Sequence, residues 1–202
     1  MSELVQEGEN AVILESFYKE VAGILDAARN RAYTAVNFAM VEAYWEIGRS
    51  IVERQGGEER AEYGEALIQG LSKRLTKDFG KGFDPSNLRY MRLFYQAFPI
   101  RGALRHELSW THYRRLSRIA DPDARIWYMN ECADAKWSTR RLERQINALF
   151  RERLLASRDK ELVSSEIERQ EPPKRPEDII RDPYVLEFLG FSDDAAFRES
   201  VG

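Results

Sequence analysis

The stretch Leu71–Phe98, LSKRLTKDFGKGFDPSNLRYMRLFYQAF, decides the fold of this chain. Leucines recur at helical spacing up to the glycines at positions 80 and 82. Asp84-Pro85 then supplies an N-cap and a first-turn proline for a second amphipathic helix. Two such helices joined by a glycine-containing turn are typical of a helix-turn-helix, which we predict near residues 64–98.

The remainder of the first 158 residues carries the same helical signals. Apolar residues recur at helical spacing around Val12–Ala28 and again over about Arg31–Gln55, which predicts two amphipathic helices. Asp121-Pro122 predicts another helix start, and Ser138 caps a helix expected to continue to about Ala156. Alternating β-branched runs are lacking. The predicted fold class is therefore all-α, a multi-helix domain containing a helix-turn-helix.

The composition changes after Arg158. The segment Glu171–Pro176 has three prolines in five positions, which indicates a stiff tether. An apolar segment, Asp182–Phe191, follows it. We therefore predict an all-α domain over 11–158, a helical extension and Pro-rich linker over 159–181, and a short C-terminal remnant over 182–202.

The charge distribution indicates a nucleic-acid partner. The net charge is −3, but residues 67–158 carry 19 basic and 9 acidic side chains, whereas residues 1–66 and 159–202 have net charges of −7 and −6. A concentrated basic block is expected of a nucleic-acid binder. The alternative is a solvated helical surface that is rich in arginine. For the arginines of the last predicted helix, the alternative is an exposed surface paired with acids from residues 1–66.

The candidate DNA contacts combine polar residues at the start of the predicted second helix with arginines that can follow a phosphate backbone. The alternative is a two-helix corner with a basic surface that binds no ligand. The nucleic-acid-binding candidates are Lys81, Ser86, Asn87, Arg89, Arg92, Arg114, Arg115, Arg118, Arg140, Arg141 and Arg144.

Searches for catalytic and metal-binding motifs are negative. The sequence contains no Gly-rich phosphate loop, HExxH or GxSxG motif. Asp134-Ala135-Lys136 fits a (D/E)xK nuclease triplet, but it lies at a predicted helix end, where a chance match is favoured. His112 is favoured as a structural histidine. We predict no catalytic residue, metal or cofactor, and Cys132, the single cysteine, is compatible with a reducing cytoplasm.

The sequence also lacks the signals of membrane insertion and secretion. The N-terminal segment is acidic and has no apolar h-region, and the longest uncharged stretch of the front half is ten residues, Ala32–Val41. We therefore expect a cytoplasmic protein with no membrane partner.

Several blocks resemble one known family. They are Tyr44–Arg49 (YWEIGR), Ala61–Gly64 (AEYG), Leu71–Pro99, Leu108–Tyr113 (LSWTHY), Trp137–Ile146 (WSTRRLERQI) and Asp182–Gly190 (DPYVLEFLG). Over roughly residues 11–191 the chain resembles the N-terminal domain of the YhcG-type predicted nucleases. In that family a PD-(D/E)xK nuclease-like domain follows. The resemblance implies a bacterial DNA-binding or targeting module, with the start of a truncated nuclease-like domain at 182–202.

A weaker similarity concerns the order of elements in the helical DNA-binding domain of ParB-like partition proteins. The chain departs from them at Trp110 and Trp137, where such proteins usually have smaller residues. This similarity supports the architecture more than any particular base contact.

Three functional hypotheses follow. The first is a non-enzymatic DNA-binding module with DNA as its partner. The second is a protein-interaction adaptor in which Tyr184–Phe191 docks on a separate nuclease subunit; a homo-oligomer is a further possible assembly. The third is a nuclease in its own right, which would require Mg²⁺ and Asp134.

Overall fold

The structure, a computed structural model, describes residues 2–55, 61–157 and 183–188. All regular structure in these ranges is helical, which confirms the all-α prediction. The predicted linker over 159–181 lies outside the described residues, as does most of 182–202. The elements are α1 (Ser2–Gln55), α2 (Ala61–Phe79), α3 (Pro85–Ala97), a 3₁₀ turn (Arg101–Ala103), α4 (Trp110–Leu116), α5 (Pro122–Asp134), α6 (Thr139–Asn147), α7 (Phe150–Ala156) and α8 (Pro183–Phe188).

The prediction of two helices over the first sixty residues is wrong, because α1 is continuous over Ser2–Gln55. Residues 29–36, RNRAYTAV, contain neither proline nor glycine, so nothing local interrupts the helix at the predicted boundary. The chain nevertheless divides into two compact units, Met1–Val36 and Asn37–Gly202, and α1 contributes to both. None of the described helices has the length and apolar character needed to cross a membrane.

Aromatic side chains form the centre of the second unit. The ring of Phe94 on α3 lies 5.5 Å from that of Trp110 and 4.8 Å from that of Tyr113, both on α4. Tyr44 on α1 meets Trp110 edge-on at 5.0 Å. All four side chains are essentially fully buried. Such contacts stabilise a core beyond the area that they bury, and here they join the end of α1 to α3 and α4.

Gly48 on α1 is the point of closest approach to α3. A Cβ atom at this position would lie 2.1 Å from the carbonyl oxygen of Met91 and 2.7 Å from its carbonyl carbon. Backbone cannot move aside as a flexible side chain can. Glycine at position 48 therefore sets the distance between the two helices.

The helix predicted to run from Ser138 to about Ala156 is broken, and this boundary prediction is wrong. Leu149 has φ +50°, and it separates α6 from α7. The buried hydroxyl of Tyr128 on α5 bridges the break: it donates to the Gln145 carbonyl at 3.3 Å and accepts from the Arg151 N–H at 3.2 Å. A tertiary contact thus satisfies backbone groups that a continuous helix would pair internally.

Candidate nucleic-acid interface

The predicted helix-turn-helix span contains α2, a short turn and α3, and the two helices pack against each other. Gly80 and Gly82 have φ of +84° and +98°, the left-handed region that glycine enters without strain. Asp84 caps α3 as predicted, since its Oδ1 accepts from the N–H groups of Ser86 at 2.8 Å and Asn87 at 3.1 Å. That this unit reads DNA remains a prediction.

Asn87, one of the predicted DNA contacts, is 2% exposed. Its Nδ2 donates to the Gly82 carbonyl at 2.6 Å, and its Oδ1 accepts from Trp110 Nε1 at 3.0 Å. The amide therefore ties the turn to α3 and α4. Because both polar atoms of the amide are bonded inside the protein, we do not expect Asn87 to contact DNA.

Arg89 on α3 forms an ion pair with Glu65 on α2. Its Nε donates to Glu65 Oε2 at 3.2 Å, and Nη2 contacts Oε1. The hydrogen bonds from Arg89 lower the pKa of the Glu65 carboxyl, and the charge of Arg92 acts in the same direction. For Arg89 the structure therefore shows pairing with an acid of residues 1–66, the arrangement that the sequence suggested as an alternative for the arginines of the last helix. The pair is solvent-exposed, and a phosphate can compete for its guanidinium.

Arg114 on α4 lies among aromatic rings. Its guanidinium carbon is 4.3 Å from the ring centroid of Tyr90 on α3 and 5.3 Å from that of Tyr184 on α8, and Nη1 donates to the Tyr184 hydroxyl. Phe188 of the same short helix meets Tyr44 edge-on at 6.2 Å. The described part of the predicted docking segment thus packs on its own chain.

Arg115 and Arg141 both make contacts at α6. Arg115 donates from Nη2 to Glu143 Oε2 at 2.7 Å. Arg141 lies over the Trp137 ring with its guanidinium carbon 5.5 Å from the centroid. Both arginines are half-buried, and the Arg115–Glu143 ion pair joins α4 to α6.

The other candidates lie on the surface. Arg92 is half-buried, whereas the exposed candidates are Lys81, Ser86, Arg118, Arg140 and Arg144. The contacts of Arg114 with Tyr90 and of Arg115 with Glu143 bring α3, α4 and α6 side by side in that order. The candidates lie on these three helices, on the turn before α3 (Lys81) and just after α4 (Arg118). They therefore occupy neighbouring elements, although they are spread over 64 positions of the sequence from Lys81 to Arg144.

His112 is structural, as favoured from the sequence. It is 9% exposed, its Nδ1 accepts from the Ser109 N–H at 3.1 Å, and its Nε2 lies 3.0 Å from the Trp137 carbonyl oxygen. This arrangement fits a neutral ring with the proton on Nε2. His112 thus closes the start of α4 and ties it to the loop before α6.

The nuclease-like triplet gives no metal centre. Asp134 pairs with Arg105 Nη2 at 2.6 Å, and Lys136 is exposed with φ +50°. Within residues 2–55, 61–157 and 183–188, no cluster of three or more His, Cys, Asp or Glu side chains could hold a metal ion. Burial raises the pKa of the Cys132 thiol to about 12, which makes it a poor nucleophile.

Three residues that position the candidate site were not predicted from the sequence: Glu65, Tyr90 and Arg125. Glu65 contacts Arg89, and Tyr90 contacts Arg114. Arg125 binds the chain at the end of α3 and just after α4, because it donates to the carbonyl of Ala97 at 2.8 Å and that of Ile119 at 2.7 Å. The sequence offered only one signal, the basic and aromatic composition of this region. The partners lie up to 28 positions apart, beyond the reach of local patterns.

Comparison with known proteins identifies the family. Residues 20–153 match the family described as the DUF1016 N-terminal domain. "Putative nuclease YhcG" of Escherichia coli (strain K12) is 36% identical over 225 aligned positions, which cover 95% of this chain and 60% of that protein. No solved structure matches the chain. The family match covers well over half of the sequence, and this protein therefore belongs to the DUF1016 N-terminal domain family.

Proposed function

We propose that this chain is the DNA-binding, targeting part of a YhcG-type nuclease and that it does not itself cut DNA. The observation that carries the proposal is the arrangement of cations over α3, α4 and α6. We call this surface the DNA face; it consists of Lys81, Ser86, Arg89, Arg92, Arg114, Arg115, Arg118, Arg140, Arg141 and Arg144.

The chemistry of the DNA face suits a phosphate backbone. Guanidinium groups present paired donors to phosphate oxygens, and several of these arginines are already oriented by a neighbouring ring or carboxylate. Ser86 is exposed in the first turn of the 13-residue helix α3, where its hydroxyl can donate to a phosphate oxygen. We expect most contacts to go to phosphates, with α3 as the element nearest the bases.

The name of the E. coli relative, putative nuclease YhcG, supports DNA as the partner. This chain spans about 60% of that protein's length. We assign cutting to the part of the longer relative that this chain does not span. The chain would then position that part on its substrate.

The test is the affinity for duplex, branched and single-stranded DNA at several salt concentrations. Log K should fall steeply with log salt, with a slope of about −0.9 per phosphate contacted in duplex DNA. The double substitution Arg118→Ala with Arg140→Ala should flatten that slope by about 2.

The matched control removes two exposed arginines from outside the basic block, Arg49→Ala with Arg54→Ala, and should leave the slope unchanged. Equal effects of the two double substitutions, or no binding at low salt, would refute the proposal. Deleting residues 172–202 separates it from the adaptor hypothesis, since DNA binding should survive the deletion and docking of a nuclease subunit should not.

A further inference from the structure

The N-terminal unit exposes a continuous row of large apolar side chains along α1. We call it the apolar stripe; it consists of Ile13, Leu14, Phe17, Tyr18, Val21, Ile24 and Leu25, whose exposed fractions range from 38% to 66%. At 100° per residue these seven positions fall within an arc of about 140°. The apolar side of this helix is therefore exposed in the described structure.

The opposite side of the same helix is mostly polar or small. Ser16, Lys19, Asp26 and Asn30 lie outside the arc of the apolar stripe, and Val12 is the large apolar residue among them. An amphipathic helix of this kind is stable in water when its apolar side is covered by another helix. We therefore expect the apolar stripe to pack against another helix.

The size of the stripe matches a protein interface. Its exposed fractions add up to about four fully exposed large residues, on the order of 600–800 Å² at roughly 150–200 Å² each. A standard interface buries about 800 Å² per partner, and the largest patch on an ordinary monomer is about 300–600 Å².

We propose that the occupant is a second copy of this chain, with the two stripes packed antiparallel. Leu14, Val21 and Ala28 alternate with Phe17, Ile24 and Arg31 in steps of four and three, the repeat of a two-helix coiled coil. An antiparallel pair with Val21 opposite Ile24 of the second copy also sets Phe17 opposite Ala28. The two-fold axis repeats each contact.

Charge selects this direction over the parallel one. In the antiparallel register Arg31 falls opposite Leu14 of the second copy and not opposite another arginine, and the two-fold axis repeats this contact. A parallel pair would instead set Arg31 opposite its own copy, and like charges there are unfavourable.

The experiment measures the mass of the full chain by sedimentation over a wide concentration range. We expect a monomer–dimer equilibrium. Phe17→Glu with Ile24→Glu should weaken it by more than about 100-fold, because two large apolar contacts per copy are replaced by buried charges. The control adds the same charge to the polar side, Ser16→Glu with Asn30→Glu, and should dimerise like the wild type.

Disulfide trapping then tests the direction. Chains carrying Leu14→Cys are mixed with tagged chains carrying Arg31→Cys, and oxidation should link the two kinds of chain to each other. A monomer at all concentrations would overturn the proposal, as would equal weakening by the control substitutions. Links that join two Leu14→Cys chains would overturn the antiparallel direction. Circular dichroism of each variant verifies that the helical content is retained.

Discussion

Substituting Asn87→Ala separates a structural from a DNA-reading role at the centre of the candidate site. The side chain is 2% exposed and holds Gly82 and Trp110 through its two polar atoms. After the substitution the indole N–H of Trp110, which is fully buried, loses its acceptor, at a cost of about 1–3 kcal/mol. The lost bond to the half-exposed Gly82 carbonyl adds about 1 kcal/mol.

We therefore expect Asn87→Ala to lower the free energy of unfolding by about 3 kcal/mol, and Tm by roughly 6–12 °C for a unit of this size. Urea unfolding followed by tryptophan fluorescence and by circular dichroism measures the change. The control is Ser86→Ala, next in sequence but exposed, which should alter the unfolding free energy by less than about 0.5 kcal/mol.

DNA affinity of the folded Asn87→Ala variant should be within about twofold of the wild type. The reasoning fails if this variant unfolds like the wild type and loses more than about tenfold in DNA affinity. That result would place the amide on the DNA and not inside the protein.

Three further predictions follow from other contacts. Glu65→Gln should raise DNA affinity about 2- to 5-fold in a low-salt titration, because Arg89 no longer has to leave an exposed carboxylate; a decrease would contradict its place in the DNA face. Gly48→Ala should cost about 2 kcal/mol of unfolding free energy by forcing α1 and α3 apart, whereas Gly70→Ala, with open space around it, should stabilise the chain by up to about 1 kcal/mol. Burial raises the pKa of the Cys132 thiol from 9.0 to about 12, so the unfolded chain loses the thiol proton at lower pH than the folded chain. The contribution of Cys132 to stability should therefore be complete below pH 9 and be lost between pH 9 and 12. Urea unfolding at several pH values, compared with Cys132→Ala, measures that loss.

The parts of the fold that sequence predicted depend on local chemistry. The starts of α3 and α5 follow from an aspartate whose side chain accepts from the next turn and a proline that needs no partner for its missing N–H. The start of α6 follows from the Ser138 hydroxyl, which accepts from the Arg141 N–H at 3.0 Å. Each of these signals lies within three or four residues.

The parts that sequence did not predict depend on distant partners. The Tyr128 hydroxyl on α5 stabilises the end of α6, and no glycine or proline near Leu149 indicates a helix end in the sequence. Asn87 in a first helical turn is compatible with an exposed or a buried amide, and Trp110, 23 positions later, decides the matter. The basic composition indicated the region of the DNA face, but Glu65, 24 positions before Arg89, determines how that arginine is held.

The close approach at Gly48 has a consequence for how the DNA face would meet its target. With the α3 backbone almost touching α1, rolling or sliding of α3 would drive main-chain atoms into each other. The helix is therefore preorganised, and the entropy of fixing it is lost during folding and not during binding. What remains to be ordered on the DNA is the set of long arginine side chains, so a mutation that loosens the α1–α3 contact would weaken binding without removing a single DNA contact.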